Sequence, residues 1–166
     1  MNNLNQKLNK IELDKRRILA NYQKDRHLEL LKRSEELKLL SIEESQEALE
    51  LSRYSALLQE QLNWETRDHF LRLQEKYLKN KITIGEFCQA FSKRDLLNSE
   101  AADMLESNFI FLSPHKKSLD FSMLIDPIFA AYYEYDPDEL LFEIYEKEFR
   151  DLVETTYLQI QKLLKE

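Results

Sequence analysis

The chain has 166 residues, 43% of them hydrophobic and 33% charged, with one glycine and three prolines. So little turn chemistry excludes a β-rich fold, which needs those residues at its many corners, and points to an all-α protein large enough for one well-buried domain. The 24 bases and 31 acids give a formal net charge of −7, and it is lopsided: from Asp120 to Glu166 twelve acids face only Lys147, Arg150, Lys162 and Lys165, while the rest is close to neutral.

From the N-terminus, Leu4, Leu8, Ile11, Ile18, Tyr22, Leu30, Leu37 and Leu40 make a narrow helical stripe interrupted by Lys15, Arg26 and Arg33. A narrow stripe flanked by charge suits a two-helix or coiled-coil contact. Residues 1–57 are therefore expected to be a helical arm, with residues 4–57 open to a helix partner or to self-association. Ser41-Ile-Glu-Glu44 has the spacing of a capping box, so a helix start or kink belongs there, with a second long helix running to about Lys79. Ala48, Leu51, Leu58, Leu62, His69, Leu73 and Tyr77 hold its 3–4 spacing, and the core is expected from near Leu58.

Thr83-Ile-Gly-Glu86 is a second capping box, opening a helix with Phe87, Cys88, Phe91 and Leu96 on its apolar face. Asn98-Ser99 offers an N-cap for a short helix to about Glu106. Phe109-Ile-Phe-Leu112, ending at Ser113-Pro114, reads as a buried extended link. Phe121, Leu124, Ile125, Ile128, Phe129 and Tyr132 carry the clearest helical period and predict a central core helix, kinked or restarted at Asp126-Pro127. Asp136-Pro-Asp-Glu139 stacks start signals for a last helix carried by Leu141, Tyr145, Phe149, Leu152, Thr156, Ile160 and Leu163. The expected architecture is an antiparallel bundle of four or five helices over residues 58–166, with a long N-terminal helical arm.

Catalytic chemistry finds little support. Gly85 is the sole glycine, so phosphate loops, dinucleotide fingerprints and nucleophile elbows cannot be built. His27, His69 and His115 sit in no metal motif, and Glu65 with His69, four apart, reads as a surface or boundary pair. Cys88 lies between Phe87 and Phe91 and reads as a buried, inert thiol. As the lone cysteine it excludes an internal disulfide and fits a reducing compartment such as the cytoplasm or a plastid stroma. Ser113-Pro-His-Lys-Lys117 reads as an exposed connector, with anion binding as its alternative. No catalytic set, cofactor or metal is expected, and neither a secretory leader nor a membrane span is expected.

Bases outnumber acids in residues 1–40, which would suit RNA contact. Pairs such as Glu12–Arg16, Asp14–Arg17 and Glu29–Arg33 can neutralise one another, which favours a solvated coiled-coil surface instead. Near the C-terminus, acids at a helix start are favourable in themselves, and Glu143–Lys147 and Glu146–Arg150 are ordinary i, i+4 pairs. Local stability accounts less well for Glu139 four residues before Glu143, or for acids beside Tyr132, Tyr133, Tyr135 and Tyr145. Phenols amid carboxylates suit a binding surface for a basic protein.

Tyr77-Leu-Lys-Asn-Lys-Ile-Thr-Ile-Gly-Glu-Phe87, Leu112-Ser-Pro114 and Tyr133-Glu-Tyr-Asp-Pro-Asp138 resemble, in order and spacing, the colicin D immunity protein family over about residues 70–166. The resemblance implies a small acidic helical bundle without catalysis that covers the basic active site of a tRNA-cleaving toxin. Residues 1–60 depart from that pattern, and the composition with its long helical prefix is also similar to reading frames of green-algal organelle genomes. The partner-binding residues expected on the acidic reading are Tyr133, Glu134, Tyr135, Asp136, Asp138, Glu139 and Glu143; Asp136, Asp138, Glu139 and Glu143 are those that match the family's acidic segment. The alternative is a coiled-coil structural or assembly subunit of a larger, organellar or ribonucleoprotein complex.

Overall fold

The structure is a computed structural model that describes residues 15–39, 45–133 and 142–166 together with Gln6, Lys10 and Leu13. It is all-α, as expected, with no strand among the described residues. Residues 15–20 are helical, followed by α1 (Lys24–Lys32), α2 (Ser34–Lys38), α3 (Gln46–Glu65), α4 (Arg67–Leu78), α5 (Ile84–Ser107), α6 (Ser118–Tyr133) and α7 (Phe142–Lys165). The chain divides into two compact units, Met1–Leu62 with Glu100–Leu119 and Asn63–Ser99 with Asp120–Glu166. The boundary expected between Leu57 and Leu58 falls inside α3.

In the first unit the core reaches further toward the N-terminus than the expected start near Leu58. Leu30 and Leu37 are buried with Tyr54 and Leu57, and Ile18, Leu19, Tyr22, Ala48 and Leu51 pack against them. The apolar stripe of residues 18–37 thus has an intrachain partner in α3. That helix begins at Gln46, where the Ser45 hydroxyl accepts the Ala48 N–H at 3.1 Å. The capping box expected at Ser41–Glu44 lies outside the described residues.

The second unit is built on aromatic rings. Phe70 meets Phe91 at 4.8 Å between centroids, Phe87 meets Phe91 and Tyr77 at 5.1 Å each, and Phe149 lies 5.8 Å from Phe87 and 5.9 Å from Tyr77. All five rings are buried, and each pair contributes roughly 0.5–1.5 kcal/mol beyond its buried area. α5 buries Phe87, Cys88 and Phe91 but turns Leu96, expected on the same face, out to 58% exposure. It opens with the expected capping box. The Thr83 N–H donates to Glu86 Oε2 at 2.8 Å, and the Glu86 N–H donates to the Thr83 hydroxyl at 3.2 Å. The Thr83 N–H, and then the Thr83 hydroxyl donating to the same oxygen at 3.1 Å, hold the Glu86 carboxyl below the usual carboxylate range.

Four local expectations hold only in part or not at all. The long second helix breaks at Thr66 into α3 and α4. The reason is also why Asn98 caps nothing: its buried amide donates to Asn63 Oδ1 and to Thr66 Oγ1, both at 2.8 Å, so it fastens the break instead of starting a helix, and α5 runs on without interruption. The link Phe109–Leu112 is non-helical as expected, but only Phe111 is buried, while Phe109 and Ile110 stand about half exposed. Phe109 takes a left-handed φ of 53°, because the Ile110 N–H reaches back to the Leu105 carbonyl at 2.8 Å and the Phe109 N–H to that of Glu106 at 3.0 Å. α6 continues through Pro127 with no restart.

Gln74 is 0% exposed, and among the described residues neither its Oε1 nor its Nε2 has a hydrogen-bond partner. Unmet buried polar groups cost about 1–3 kcal/mol each. Gln74→Met, close to it in shape, is therefore expected to raise stability by about 1–2 kcal/mol, read as a higher urea midpoint with an unchanged slope. A lower midpoint would show that the amide is partnered.

Candidate partner-binding face

The seven residues expected to bind a partner fall outside the described side chains. Glu134, Tyr135, Asp136, Asp138 and Glu139 lie outside the described residues, as do the side chains of Tyr133, the last residue of α6, and Glu143, in the first turn of α7. The acidic region continues along α7, and there the geometry is defined.

α7 buries Phe149, Val153, Thr156 and Ile160, spaced four, three and four residues apart. The opposite side therefore faces outward, and it carries Glu148, Asp151, Glu154 and Leu158, all exposed. Among the described residues none of these three carboxylates has an ion-pair or hydrogen-bond partner. The expected Glu146–Arg150 pair does not form either. Arg150 turns toward the end of α4, where its guanidinium donates to the carbonyls of Tyr77 at 3.4 Å and Leu78 at 3.2 Å and to Asn80 Oδ1 at 2.7 Å, and lies 4.6 Å from the Tyr77 ring centre. A cation at a helix C-terminus satisfies carbonyls that have no partner in the helix. Asn80 supports it by taking φ 54°, so that its own N–H and that of Lys81 close the end of α4 at 2.9 Å onto the Tyr77 and Lys76 carbonyls. The base that would have offset Glu146 is thereby engaged elsewhere.

Tyr145, one of the phenols expected to suit a binding surface, is half-buried and engaged within the chain. Its hydroxyl donates to the Ala131 carbonyl and its ring stacks on Phe149 at 6.1 Å, so it joins α7 to α6.

The N-terminal charges behave in the opposite way. Lys15 pairs with Glu60 at 2.9 Å, Arg26 with Glu29 at 3.1 Å and Glu50 at 3.2 Å, Arg33 with Glu47 at 2.9 Å, and Lys38 with Glu35 at 2.8 Å. The expected Glu29–Arg33 pair is present at 3.9 Å, while Glu12 and Asp14 lie outside the described residues. Burial pushes the Glu60 carboxyl up, against the pull of Lys15.

The other candidates resolve into structural roles. Glu65 and His69 are both exposed; partial burial and then Arg94, Arg72 and Lys76 hold the imidazole of His69 below its usual range, an unfavourable field for a cation. His115 organises the start of α6. Its N–H donates to Gln61 Oε1, its carbonyl accepts the Ser118 hydroxyl at 2.7 Å, and its Nδ1 accepts the Lys117 N–H at 3.1 Å, which places the ring proton on Nε2. Ser113 and Lys116 beside it are exposed. The cluster that sequence reasoning missed surrounds His27, which is fully buried between Tyr22 and Glu106. Its spacing of three residues before Leu30 on the apolar stripe was the available signal.

No helix among the described residues is long and apolar enough to cross a membrane, and they contain no group of three or more metal-ligating His, Cys, Asp or Glu side chains. No family model, curated protein or solved structure matches this chain.

Cys88 is buried, and burial pushes its thiol up to about 12 from an ordinary 9.0. Burial, followed by Tyr54 and Glu106, raises the Tyr22 phenol to about 12. Both groups favour their protonated forms in the folded chain, so they support folding below their unfolded pKa values, and this support is lost as pH rises through the folded ones. Urea unfolding between pH 9 and 12 is expected to show falling stability, with a shallower fall in Cys88→Ala. An equal slope in the two proteins would mean that the thiol is exposed.

Proposed function

We propose that this is a non-enzymatic protein that docks a basic protein partner on an acidic face. The binding residues on this reading are those of the outer side of α7 together with Tyr133, Glu134, Tyr135, Asp136, Asp138, Glu139 and Glu143. The observation that carries the reading is the contrast in how the charges are used. Lys15, Arg26 and Arg33 pair with Glu60, Glu50 and Glu47 of the same unit, while Glu148, Asp151 and Glu154 stand exposed with no internal counter-charge among the described residues. Such a surface steers a cationic partner and penalises an anionic one. The resemblance to the colicin D immunity family supports the same reading, with a nuclease toxin as one partner class.

RNA contact through the N-terminal bases fits less well, because Lys15, Arg26 and Arg33 are held by acids of the same chain. The assembly-subunit reading needs the apolar stripe to be available, and Leu30 and Leu37 are buried within their own unit. A reducing compartment, cytoplasm or plastid stroma, remains the proposed location.

The variant Glu148→Gln with Asp151→Asn and Glu154→Gln, and a second with Asp136→Asn, Asp138→Asn and Glu143→Gln, test the proposal. Each is expected to slow association with the captured partner about tenfold at low ionic strength and to leave dissociation within about twofold. Circular dichroism should be unchanged in both. Association rates equal to the wild type would sink the acidic-face reading.

A further inference from the structure

Residues 15–39 are the part of the first unit least able to stand alone. α1 and α2 have nine and five residues, below the ~12–15 at which isolated helices persist in water. Gln23 gives α1 no side-chain cap. Leu30 and Leu37 are the fully buried apolar residues that this stretch adds to the core cluster.

Much of what fastens it is polar. His27 is 0% exposed. Its Nδ1 lies 3.0 Å from the Tyr22 hydroxyl and its Nε2 3.1 Å from Glu106 Oε1, and the Ser55 hydroxyl donates to that same oxygen at 2.6 Å. With the ring proton on Nε2 every donor is met: Tyr22 donates to Nδ1, while Nε2–H and the Ser55 hydroxyl converge on the carboxylate. The rings of Tyr54 and Phe111 close on the imidazole at 5.2 Å and 4.6 Å. Around this centre, Lys15–Glu60, Arg26–Glu50 and Arg33–Glu47 tie the stretch to α3. Glu60 is buried, while the Arg26–Glu50 and Arg33–Glu47 pairs are partly exposed, and salt screens these two.

A buried network of this kind is close to all-or-none, because removing one member leaves the others desolvated and unmet. We propose that the Tyr22–His27–Glu106–Ser55 chain is a conformational latch, and that residues 15–39 form a strap that opens as one piece when the latch or its flanking ion pairs are broken, while the second unit stays folded. Opening uncovers Leu30 and Leu37 on the strap and Tyr54 and Leu57 beneath it, and so makes an apolar helix face available only in the open state.

Amide hydrogen exchange followed by mass spectrometry on the full chain tests the latch. In the wild type, peptides from residues 15–39 are expected to exchange several-fold faster in about 1 M salt than at low salt, while peptides of α4 and α7 change by less than about twofold. Glu106→Ala is expected to speed strap exchange about ten- to a hundredfold, with α4 and α7 again nearly unchanged. Glu106→Gln keeps an acceptor oxygen and should fall between. A Glu106→Ala chain that loses protection throughout, or a wild-type strap whose exchange follows α4 and α7 at both salt concentrations, overturns the proposal.

Discussion

The orientation of α7 depends on one joint. Phe149 packs beside Tyr77 and Phe87, and the next residue, Arg150, lays its guanidinium over the Tyr77 ring while donating to the carbonyls that end α4. Because 3.6 residues make a turn, fixing Phe149 and Arg150 fixes where every other side chain of α7 points. Val153, Thr156 and Ile160 then fall inward, and Glu148, Asp151 and Glu154 fall outward. The joint also takes the guanidinium away from Glu146, so the contact that anchors the helix leaves its surface more negative.

The two ends of the chain thus use charge differently. At the N-terminal end, Lys15, Arg26 and Arg33 meet carboxylates of α3, and Arg33 also meets Glu29, within about 3–4 Å, where such pairs add specificity to packing but little net stability. Along α7 the carboxylates are left to solvent. Exposed acids stabilise neither the helix nor the fold, apart from those close enough to an N-terminus to meet its dipole. A surface built this way acts at a distance, over roughly the 8–10 Å within which physiological salt lets a field survive.

What could be read from the residues alone was whatever they decide locally. The Thr83–Glu86 box was legible because both of its bonds close within four residues, and period placed Phe149, Thr156 and Ile160 inward, although α7 buries Val153 fully where Leu152 was expected. Asn98 was misread for a physical reason: asparagine is a good cap, but its amide finds Asn63 and Thr66, more than thirty residues away, and those bonds outweigh the local option. Arg150 was misread in the same way, since an i, i+4 carboxylate was available but three oxygens at the end of α4 hold it. His27 looked like an isolated imidazole because Tyr22 alone is near it in sequence, while Glu106 lies 79 positions away. Of the candidate site, the acidic composition was legible, and the internal role of Tyr145 was not.

Carboxyl footprinting addresses the central claim most directly. The protein, free and in complex with the partner captured from its source, is treated with a carbodiimide and an amine, and modification of each Asp and Glu is read by mass spectrometry. The account requires Glu148, Asp151 and Glu154 to react readily in the free protein and to be shielded in the complex, with Glu60 slow in both. Slow modification of the three in the free protein, or equal modification free and bound, would contradict it.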